Sequence, residues 1–517
     1  MTAELRTVGH LLLDRSEDDR PGLIFEGHTL LWHELVTEAA VRARFLDAKL
    51  DRRRPAHVGV LLENVPDHIH LLGAAALCGA TIVGLNPTRR GAELARDIAH
   101  TDCQLVITST DLRPLLPDSL DVPVHLVDEP QWLYGLSPLR GEAAPAAPSG
   151  DHTLGLLFTS GSTSAPKAVP RSSATAASAG EKIATGFGLT ADDVAYCQMP
   201  LFHGNALLAC WVASLSVWAT IVLRRRFSAS GFVDDVRRHG FTFFTYLGRS
   251  IQYVLAQPPT PDEADLPLRM GFGTEASVED RMAFEERFGC RLLESYGSSE
   301  AAIVIVRTPD TPPEALGVPR PGDDSDIVVV DVDGNECAVG EVGELVNRNG
   351  GGPFTGYYNN PEATAARLRD GWFWSGDLAW KDADGFFHFA GRSDERIRVD
   401  GENLSPELIA RLLERLTGIA AAAVYPMADP TTGDLVMAAV EMEPGVDFDA
   451  DRFHAELHAQ PDLGTKWPPT WVRVVDELPL TANNKIRVGV LRAEGFETED
   501  PIWHAPTRGG RYELQTG

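Results

Sequence analysis

The chain has 517 residues, of which 44% are hydrophobic, so it can bury a large core and is not expected to be disordered. Its net charge of −28 excludes a general nucleic-acid-binding or anionic-membrane surface, because both targets are polyanions. The cysteines show no Cys-x-x-Cys spacing, the acidic N-terminus lacks the pattern of a signal peptide, and no apolar run is long enough to span a bilayer. We therefore expect a cytoplasmic protein with reduced cysteines and without nucleic-acid or membrane partners.

Short apolar strands alternate with helices in the first part of the chain, a pattern typical of parallel α/β architecture. Strands are predicted at Val58–Leu62, Thr81–Leu85 and Gln104–Ile107, and helices at Asp67–Cys78 and Gly91–His100. His68 and His70, on the first of these helices, are interpreted as surface or core residues rather than metal ligands. The same alternation recurs at residues 154–223 and 232–294.

The pattern changes towards the C-terminus. Residues 327–346 contain short strands with turn signals and predict a β subdomain. Beyond a boundary near residue 394, a helix beginning at Ser405–Glu407, strands at 421–425 and 435–441 and a helix at 449–459 predict a compact α+β domain. The fold class is therefore α/β, with a large N-terminal domain at 1–393, a small C-terminal domain at 394–500 and a flexible tail at 501–517.

The segment from Thr159 to Lys167 follows a predicted strand and is unusually rich in hydroxyl side chains. Hydroxyl and backbone N–H donors after a strand can hold a polyphosphate, and a lysine adds positive charge. The segment is not a Walker A loop, because it has no Gly-Lys-Ser/Thr sequence. Its composition alone fits a polar surface loop equally well.

Further segments decide between these interpretations. Tyr296–Glu300, Trp374–Asp377, Gly391–Arg392 and Pro479–Ile486 follow the hydroxyl-rich loop in order. Together these segments resemble the adenylate-forming superfamily of acyl-CoA synthetases, peptide-synthetase adenylation domains and luciferases, and specifically its acyl-CoA synthetase branch. The resemblance covers roughly residues 25–495.

The resemblance implies a nucleotide site. Contacts with the β- and γ-phosphates of ATP are implied for Thr159, Ser160, Gly161, Ser162, Thr163 and Lys167. A turn along the adenine is implied for Gly273, Thr274, Glu275 and Ala276. Tyr296, which precedes Gly297, would stack on the adenine, and Ser299 would meet the α-phosphate. Asp377 and Arg392 would contact the ribose, and Glu300 would hold Mg²⁺, which suits a single carboxylate combined with substrate phosphates.

The resemblance also implies catalytic roles. Lys485 would bridge the carboxylate and the phosphate during adenylation, and His203, in Pro200–Gly204, would gate the acyl site. Asp394 lies at the hinge about which the small domain would turn, and Gly401 would line the pantetheine channel during thioester formation. The implied activity is an AMP-forming acyl-CoA ligase that uses a small-molecule carboxylic acid, ATP, CoA and Mg²⁺, in fatty-acid or secondary metabolism. A homodimer is expected for this class.

Three departures from the family pattern leave an alternative open. Ser164, Ala168 and Asn484 stand where the family commonly has glycine, which allows close approach to phosphate and positive φ. A thiolation-only enzyme, which receives a preformed acyl-AMP from a separate adenylating enzyme, would fit these departures. Transfer to a carrier protein and a non-catalytic protein that binds acyl-AMP or a nucleotide are further alternatives.

The acid is open at this stage. Small residues in the pocket segments would admit a bulky or polycyclic apolar acid: Gly204, Ala206, Gly271 and Gly273. Phe202, Trp211 and Phe272 could instead fill the pocket and select a small aryl or short acyl group. Amino acids are disfavoured, because Phe202-His203 stands where the family places an amino-acid-recognising Asp.

Overall fold

The computed structural model describes residues 5–142, 144–148, 152–159, 167–392, 397–399, 402–404, 406–429, 433–460, 463, 467–481, 485–507 and 509–515. The chain divides into two compact units. The first comprises Met1–Arg307 and Gly351–Leu368, and the second comprises Thr308–Gly350 and Arg369–Gly517.

The first unit alternates strands and helices. Its strands are β1 (Pro21–Phe25), β2 (His28–Leu31), β3 (His57–Leu61), β4 (Thr81–Gly84), β5 (Leu105–Thr108), β6 (Val124–Leu126), β7 (Thr153–Phe158), β8 (Ala168–Ser172), β9 (Val194–Cys197), β10 (Thr220–Leu223), β11 (Phe243–Leu247), β12 (Met270–Thr274), β13 (Arg291–Gly297) and β14 (Val304–Val306). Its helices are α1 (Val8–Leu13), α2 (Trp32–Lys49), α3 (Pro66–Cys78), α4 (Ala92–His100), α5 (Pro130–Leu136), α6 (Ser173–Gly186), α7 (Ala213–Val217), α8 (Phe232–His239), α9 (Gly248–Leu255), α10 (Val278–Phe288) and α11 (Pro361–Arg367). Short 3-10 helices lie at Arg113–Leu115, Ser137–Leu139 and Glu263–Asp265, and a π-helix lies at Asn205–Val212.

Two sheets organise this unit. One has the order β14-β13-β12-β11-β9-β10-β1-β2, and its inner strands, from β13 to β1, are parallel. The other has the order β6-β5-β3-β4-β7-β8 and is parallel except for the antiparallel pair β7–β8. Parallel sheets need cover on both faces, which explains why the inner strands β3 and β4 are buried along their whole length. The predicted alternation of strands and helices at residues 58–107 is confirmed, with shifts of one residue at the ends.

The second unit begins with short strands: β15 (Val318–Pro319), β16 (Ile327–Val330), β17 (Gly343–Asn347), β18 (Leu368–Arg369, at the division between the units), β19 (Trp372–Lys381) and β20 (Phe387–Arg392). It continues with β21 (Ile397–Val399), β22 (Glu402–Leu404), α12 (Pro406–Glu414), β23 (Ile419–Asp429), β24 (Gly433–Met442), α13 (Ala450–Ala459), β25 (Trp471–Val475), α14 (Val488–Glu494), β26 (Ile502–His504) and β27 (Glu513–Leu514). Strands β16, β17, β19 and β20 form an antiparallel sheet, which matches the β structure predicted at 327–346.

The C-terminal strands belong to a mixed sheet with the order β22-β21-β24-β25-β26-β27, in which β23 pairs with β24. Residues expected to form a flexible tail are packed here: Trp471 pairs with His504, and Tyr512 is buried with its hydroxyl donating to Pro469 O at 2.8 Å. The strands β26 and β27 are short and pair with residues distant in sequence, so the sequence contains no periodic apolar run that would predict them. The predicted hinge residue Asp394 lies outside the described residues, and the boundary there stays a prediction.

None of the helices in the described part of the chain combines the length and apolarity needed to cross a bilayer. The six cysteines are free thiols, four of them buried, as the sequence predicts.

Candidate active site

The hydroxyl-rich loop connects the two strands of a hairpin. Phe158 of β7 faces Ala168 of β8, and Thr159 N donates to Lys167 O at 3.0 Å, so these two residues close the mouth of the loop. The predicted phosphate-binding residues Ser160, Gly161, Ser162 and Thr163 lie outside the described residues, as does Ser164. Ala168 is fully buried and is not among the residues with positive φ. Alanine therefore costs no backbone strain at this departure from the family pattern.

The predicted adenine turn follows the carboxyl end of β12. Gly273 lies opposite Tyr246 of β11, and a Cβ on Gly273 would come within 2.3 Å of Tyr246 O, so only glycine fits there. Glu275 adopts a left-handed backbone with φ +70, and Ala276 N donates to Glu294 Oε1 at 2.8 Å. Burial raises the pKa of the Glu294 carboxyl, and the hydrogen bond from Ala276 opposes that shift. Glu294, which sequence reasoning missed, thus holds this turn against β13.

The Tyr296–Glu300 segment leaves the carboxyl end of the neighbouring strand, β13. Strands β12 and β13 are parallel, and Gly273 pairs with Glu294, so the two predicted nucleotide segments emerge side by side. Tyr296 is half-buried and pairs with Ile305 of β14, whereas Gly297 is exposed. In open parallel sheets, ligands bind outside the carboxyl ends of the strands, which is where these residues lie.

Glu300 has partners that the sequence analysis did not identify. Its carboxylate is 7% exposed and accepts a hydrogen bond at Oε1 from the Tyr357 hydroxyl. Arg171 of β8 is also buried, and its Nη2 donates to Ser299 O, next to Glu300. Burial lowers the pKa of Arg171, while the Glu300 charge opposes that shift; burial also raises the pKa of Tyr357, and Glu300 adds to the increase. The sequence feature that could have identified Arg171 is its position as the one charged residue in strand β8.

These contacts join loops from both sheets of the first unit. Arg171 lies on β8, directly after the hydroxyl-rich loop, and Ser299 follows β13 of the other sheet. Tyr358 N donates to Ala168 O at 2.8 Å, so the 355–360 segment contacts the strand after the loop as well as Glu300. Three of the predicted nucleotide residues, Lys167, Ser299 and Glu300, therefore lie in segments that contact one another. The contacts are made by Ser299 and Glu300 themselves and by Ala168, which follows Lys167.

Glu300 fits the predicted Mg²⁺ role in its chemistry. No group of three or more metal-binding side chains occurs among the residues that the structure describes. One oxygen of the buried Glu300 carboxylate is held by Tyr357, and the Arg171 guanidinium lies nearby. Such a carboxylate can supply one ligand to Mg²⁺, which characteristically takes its other ligands from phosphates and water. A metal here would therefore depend on a bound nucleotide.

The predicted acyl-pocket segment is braced by a residue far away in sequence. Asn64 is buried, donates through Nδ2 to Met199 O at 2.9 Å and Arg224 O at 3.2 Å, and accepts from Leu201 N at 3.0 Å. His203 is half-buried, and its ring lies 4.4 Å from that of Phe202. The π-helix Asn205–Val212 begins directly afterwards, and such helices occur often at functional sites.

The remaining predicted residues belong to the second unit. Asp377 is buried on β19 and pairs with Arg392 of β20, so the two predicted ribose residues are cross-strand neighbours. Ser375 Oγ accepts from Asp377 N at 3.0 Å and donates to Leu345 O at 2.6 Å, which fixes the strand around Asp377. The Arg392 side chain is not among the described groups.

Lys485 is exposed at a turn that Thr481 closes, with Lys485 N donating to Thr481 Oγ1 at 3.1 Å and Thr481 N donating to Lys485 O at 2.7 Å. Asn484, Asp394 and Gly401 lie outside the described residues. The structure therefore gives Lys485 a defined backbone position, and it leaves the predicted hinge and channel residues as predictions.

The chain belongs to the family of AMP-binding enzymes. The family's profile, described as AMP-binding enzyme, matches residues 13–358, and that of the AMP-binding enzyme C-terminal domain matches residues 409–485. The chain is 43% identical to the steroid-22-oyl-CoA synthetase of Rhodococcus jostii, covering 98% of this chain and 95% of that protein. It is 46% identical to the medium/long-chain-fatty-acid–CoA ligase FadD17 of Mycobacterium tuberculosis, covering 97% and 99%. Its fold resembles ATP-bound MatB from Rhodopseudomonas palustris, with a TM-score of 0.84 at 22% identity over 94% of this chain and 98% of that chain.

These matches confirm the predicted superfamily and the predicted enzyme class, an AMP-forming acid–thiol ligase that uses ATP and CoA. The α/β fold with a large N-terminal and a smaller C-terminal domain is likewise confirmed. The roles of individual site residues are not tested by the comparisons and stay predictions.

Proposed function

We propose that the protein joins a large apolar carboxylic acid to coenzyme A through an acyl-adenylate. The observation that carries this proposal is near-full-length identity of 43–46% to ligases named for a steroid-22-oyl group and for medium- and long-chain fatty acids. Both names describe a carboxyl group on a large apolar body. The proposed substrate is therefore a polycyclic or long-chain acid rather than a small aryl, short-chain or amino acid.

The apolar character of the predicted acyl-pocket segment supports an apolar substrate. Met199, Leu201 and Phe202 are buried, and the π-helix that follows contributes apolar side chains. Two aromatic residues considered as pocket fillers already have partners in the core: Trp211 is 1% exposed, and Phe272 packs on Phe187 with ring centroids 4.5 Å apart. This favours a pocket that these two rings do not close.

The proposed chemistry relies on positioning and on positive charge. A carboxylate that attacks the α-phosphate creates excess negative charge, so catalysis needs alignment and electrostatic stabilisation. Lys485 is proposed to supply one positive charge, and Ser299 and Lys167 to hold phosphates. Mg²⁺, when bound with the nucleotide, would neutralise phosphate charge, and Glu300 is the residue that would hold it. Tyr296 and Asp377 are proposed to bind the adenine and the ribose.

One of the three departures that suggested a thiolation-only enzyme no longer supports that alternative. Ala168 lies in an unstrained strand and gives no reason to doubt adenylation. Ser164 and Asn484 lie outside the described residues, so the alternative rests on these two positions.

An end-point assay tests the substrate class. The protein is incubated with ATP, Mg²⁺, CoA and one acid at a time from a panel of steroid side-chain, long-chain, short-chain, aryl and amino acids, and the CoA thioester is detected by mass spectrometry. We expect thioesters of the steroid or long-chain acids, dependent on ATP. Efficient turnover of only aryl or short-chain acids would contradict the proposed substrate class, although not the enzyme class.

A further inference from the structure

Glu300 is held from one side by a tyrosine. The Tyr357 hydroxyl donates to Oε1 of the carboxylate, and it also interacts with the Arg367 side chain. Tyr357 is 6% exposed, and its ring packs edge-to-face on Phe354 with centroids 4.9 Å apart. The ring is therefore fixed in place, so its hydroxyl is directed at a single carboxylate oxygen.

A buried cation also lies near Glu300. Arg171 is 3% exposed, its Nη2 donates to Ser299 O, and its charge acts on Glu300. The Arg171 Nε is buried without a hydrogen-bond partner. A buried charge is costly unless it is compensated, and here the Ser299 carbonyl and the Glu300 charge compensate the guanidinium.

The tyrosine lies on a segment that is itself clamped. Tyr358, the next residue, donates its hydroxyl to Asp102 Oδ2 at 2.8 Å and its backbone N–H to Ala168 O at 2.8 Å. Asn359 Nδ2 also donates to Asp102 Oδ2, at 3.0 Å. The two tyrosine hydroxyls thus have different partners: Tyr357 contacts Glu300 and Arg367, whereas Tyr358 contacts the turn after α4.

We propose that Tyr357, together with Arg171, is a positioning residue that fixes Glu300 so that its second carboxylate oxygen is presented to the nucleotide-bound divalent cation. The inference rests on the proposed function, because it takes Glu300 as the metal ligand. Partners behind a ligating carboxylate set its orientation, and removing one typically lowers metal affinity about 10- to 100-fold. The 355–360 segment, which no sequence motif connected with the metal, is thereby part of the nucleotide site.

The test compares two matched variants of the full-length protein. Tyr357→Phe removes the hydroxyl that contacts Glu300 and Arg367, and Tyr358→Phe removes a hydroxyl on the same segment that contacts Asp102 instead. Binding of Mn²⁺ in the presence of the α,β-methylene analogue of ATP is followed by electron paramagnetic resonance, a readout that does not require turnover. We expect the Mn²⁺ dissociation constant to rise at least about tenfold in Tyr357→Phe and to change less than about twofold in Tyr358→Phe. Arg171→Lys keeps the charge but shortens the reach of the side chain to Ser299 O, and we expect it to raise the Mn²⁺ dissociation constant as well.

The outcomes separate this inference from the proposed function. Equal Mn²⁺ affinities in Tyr357→Phe, Tyr358→Phe and wild type would overturn the inference while leaving an active ligase intact. A wild-type protein that does not bind Mn²⁺ with the nucleotide analogue would overturn the inference together with the metal role proposed for Glu300, whereas the proposed substrate class is tested separately by the CoA-thioester assay. A rise in the apparent Mg²⁺ requirement of Tyr357→Phe, with an unchanged KM for the acid, would support the positioning role over a general structural one.

Discussion

At the scale of single residues, a substitution of Lys485 best separates the two steps of the reaction, adenylation and thioester formation. The Lys485 backbone is fixed by the turn with Thr481, and its side chain is exposed. We expect Lys485→Ala to slow acyl-AMP formation at least about 100-fold, because it removes a charge that the transition state needs. Transfer from supplied acyl-AMP to CoA should change less than about threefold, since that step begins from an activated anhydride.

Arg487 offers the control for this variant. It is exposed two residues further along the chain, and its backbone N–H donates to Pro479 O at 2.7 Å. Quenched-flow measurement of acyl-AMP, with Arg487→Ala alongside, checks the expectation. Equal losses in both half-reactions for Lys485→Ala would assign it a structural role instead.

His68 leads to a prediction about pH. It is 1% exposed on α3, and burial lowers its pKa from 6.5 to about 4. Above pH 6.5 the folded and unfolded states are both neutral at this residue, so it contributes no pH dependence there. As the pH falls from 6.5 to about 4, only the unfolded state binds the proton, so the folded protein loses stability, on the order of 3 kcal/mol when complete.

Denaturant unfolding at neutral pH and at about pH 5 checks this expectation. His68→Gln should lose less stability between the two conditions than wild type, and His28→Gln, at an exposed position, should behave like wild type. Identical losses in all three proteins would show that His68 is not the titrating group.

At the scale of structural elements, the glycines of the predicted acyl-pocket segments differ in the space around them. A Cβ on Gly271 would come within 2.6 Å of both Leu292 and Phe244, whereas one on Gly204 would meet Leu157 at an ordinary 3.7 Å. Packing between strands therefore gives a reason for glycine at position 271 that does not depend on the width of a pocket. Gly273 is restricted more strictly, because its Cβ would come within 2.3 Å of the Tyr246 backbone oxygen.

This contrast gives a matched pair of variants. We expect Gly271→Ala to destabilise the protein by about 2 kcal/mol or more, because core side chains or strands must shift. Gly204→Ala should leave stability within about 0.5 kcal/mol and instead raise KM for the bulkiest acids. Thermal unfolding and substrate kinetics of both variants measure this; a stable Gly271→Ala with altered acid preference would show that Gly271 faces the substrate.

The elements also show where sequence reasoning reaches its limit. Strands β3, β4 and β5 are short apolar runs, and helix α3 begins at Pro66 and ends before Gly79, so local sequence predicted these elements to within a residue. The Asn64 contacts with Met199 and Leu201 join residues more than a hundred positions apart, and no local pattern encodes such contacts. The same holds for Tyr357 on Glu300 and for the π-helix, whose sequence reads like any apolar helix.

At the scale of the whole molecule, family motifs in order identified the enzyme class, while the structure added the residues that hold those motifs. Glu294, Arg171, Tyr357 and Asn64 contact predicted site residues or their immediate neighbours, and none lies at a position that the motifs single out. Motifs describe groups that meet the ligand, whereas supporting contacts depend on the tertiary fold.

We propose that this one chain carries out both adenylation and thioester formation. The most direct measurement supplies the protein either with acid, ATP and Mg²⁺ or with synthetic acyl-AMP, each with and without CoA, and quantifies acyl-AMP and acyl-CoA separately by mass spectrometry. We expect acyl-AMP from acid and ATP without CoA, and its conversion to acyl-CoA when CoA is added. Acyl-CoA formed only from supplied acyl-AMP would contradict the claim and identify a thiolation-only enzyme that needs a separate adenylating partner.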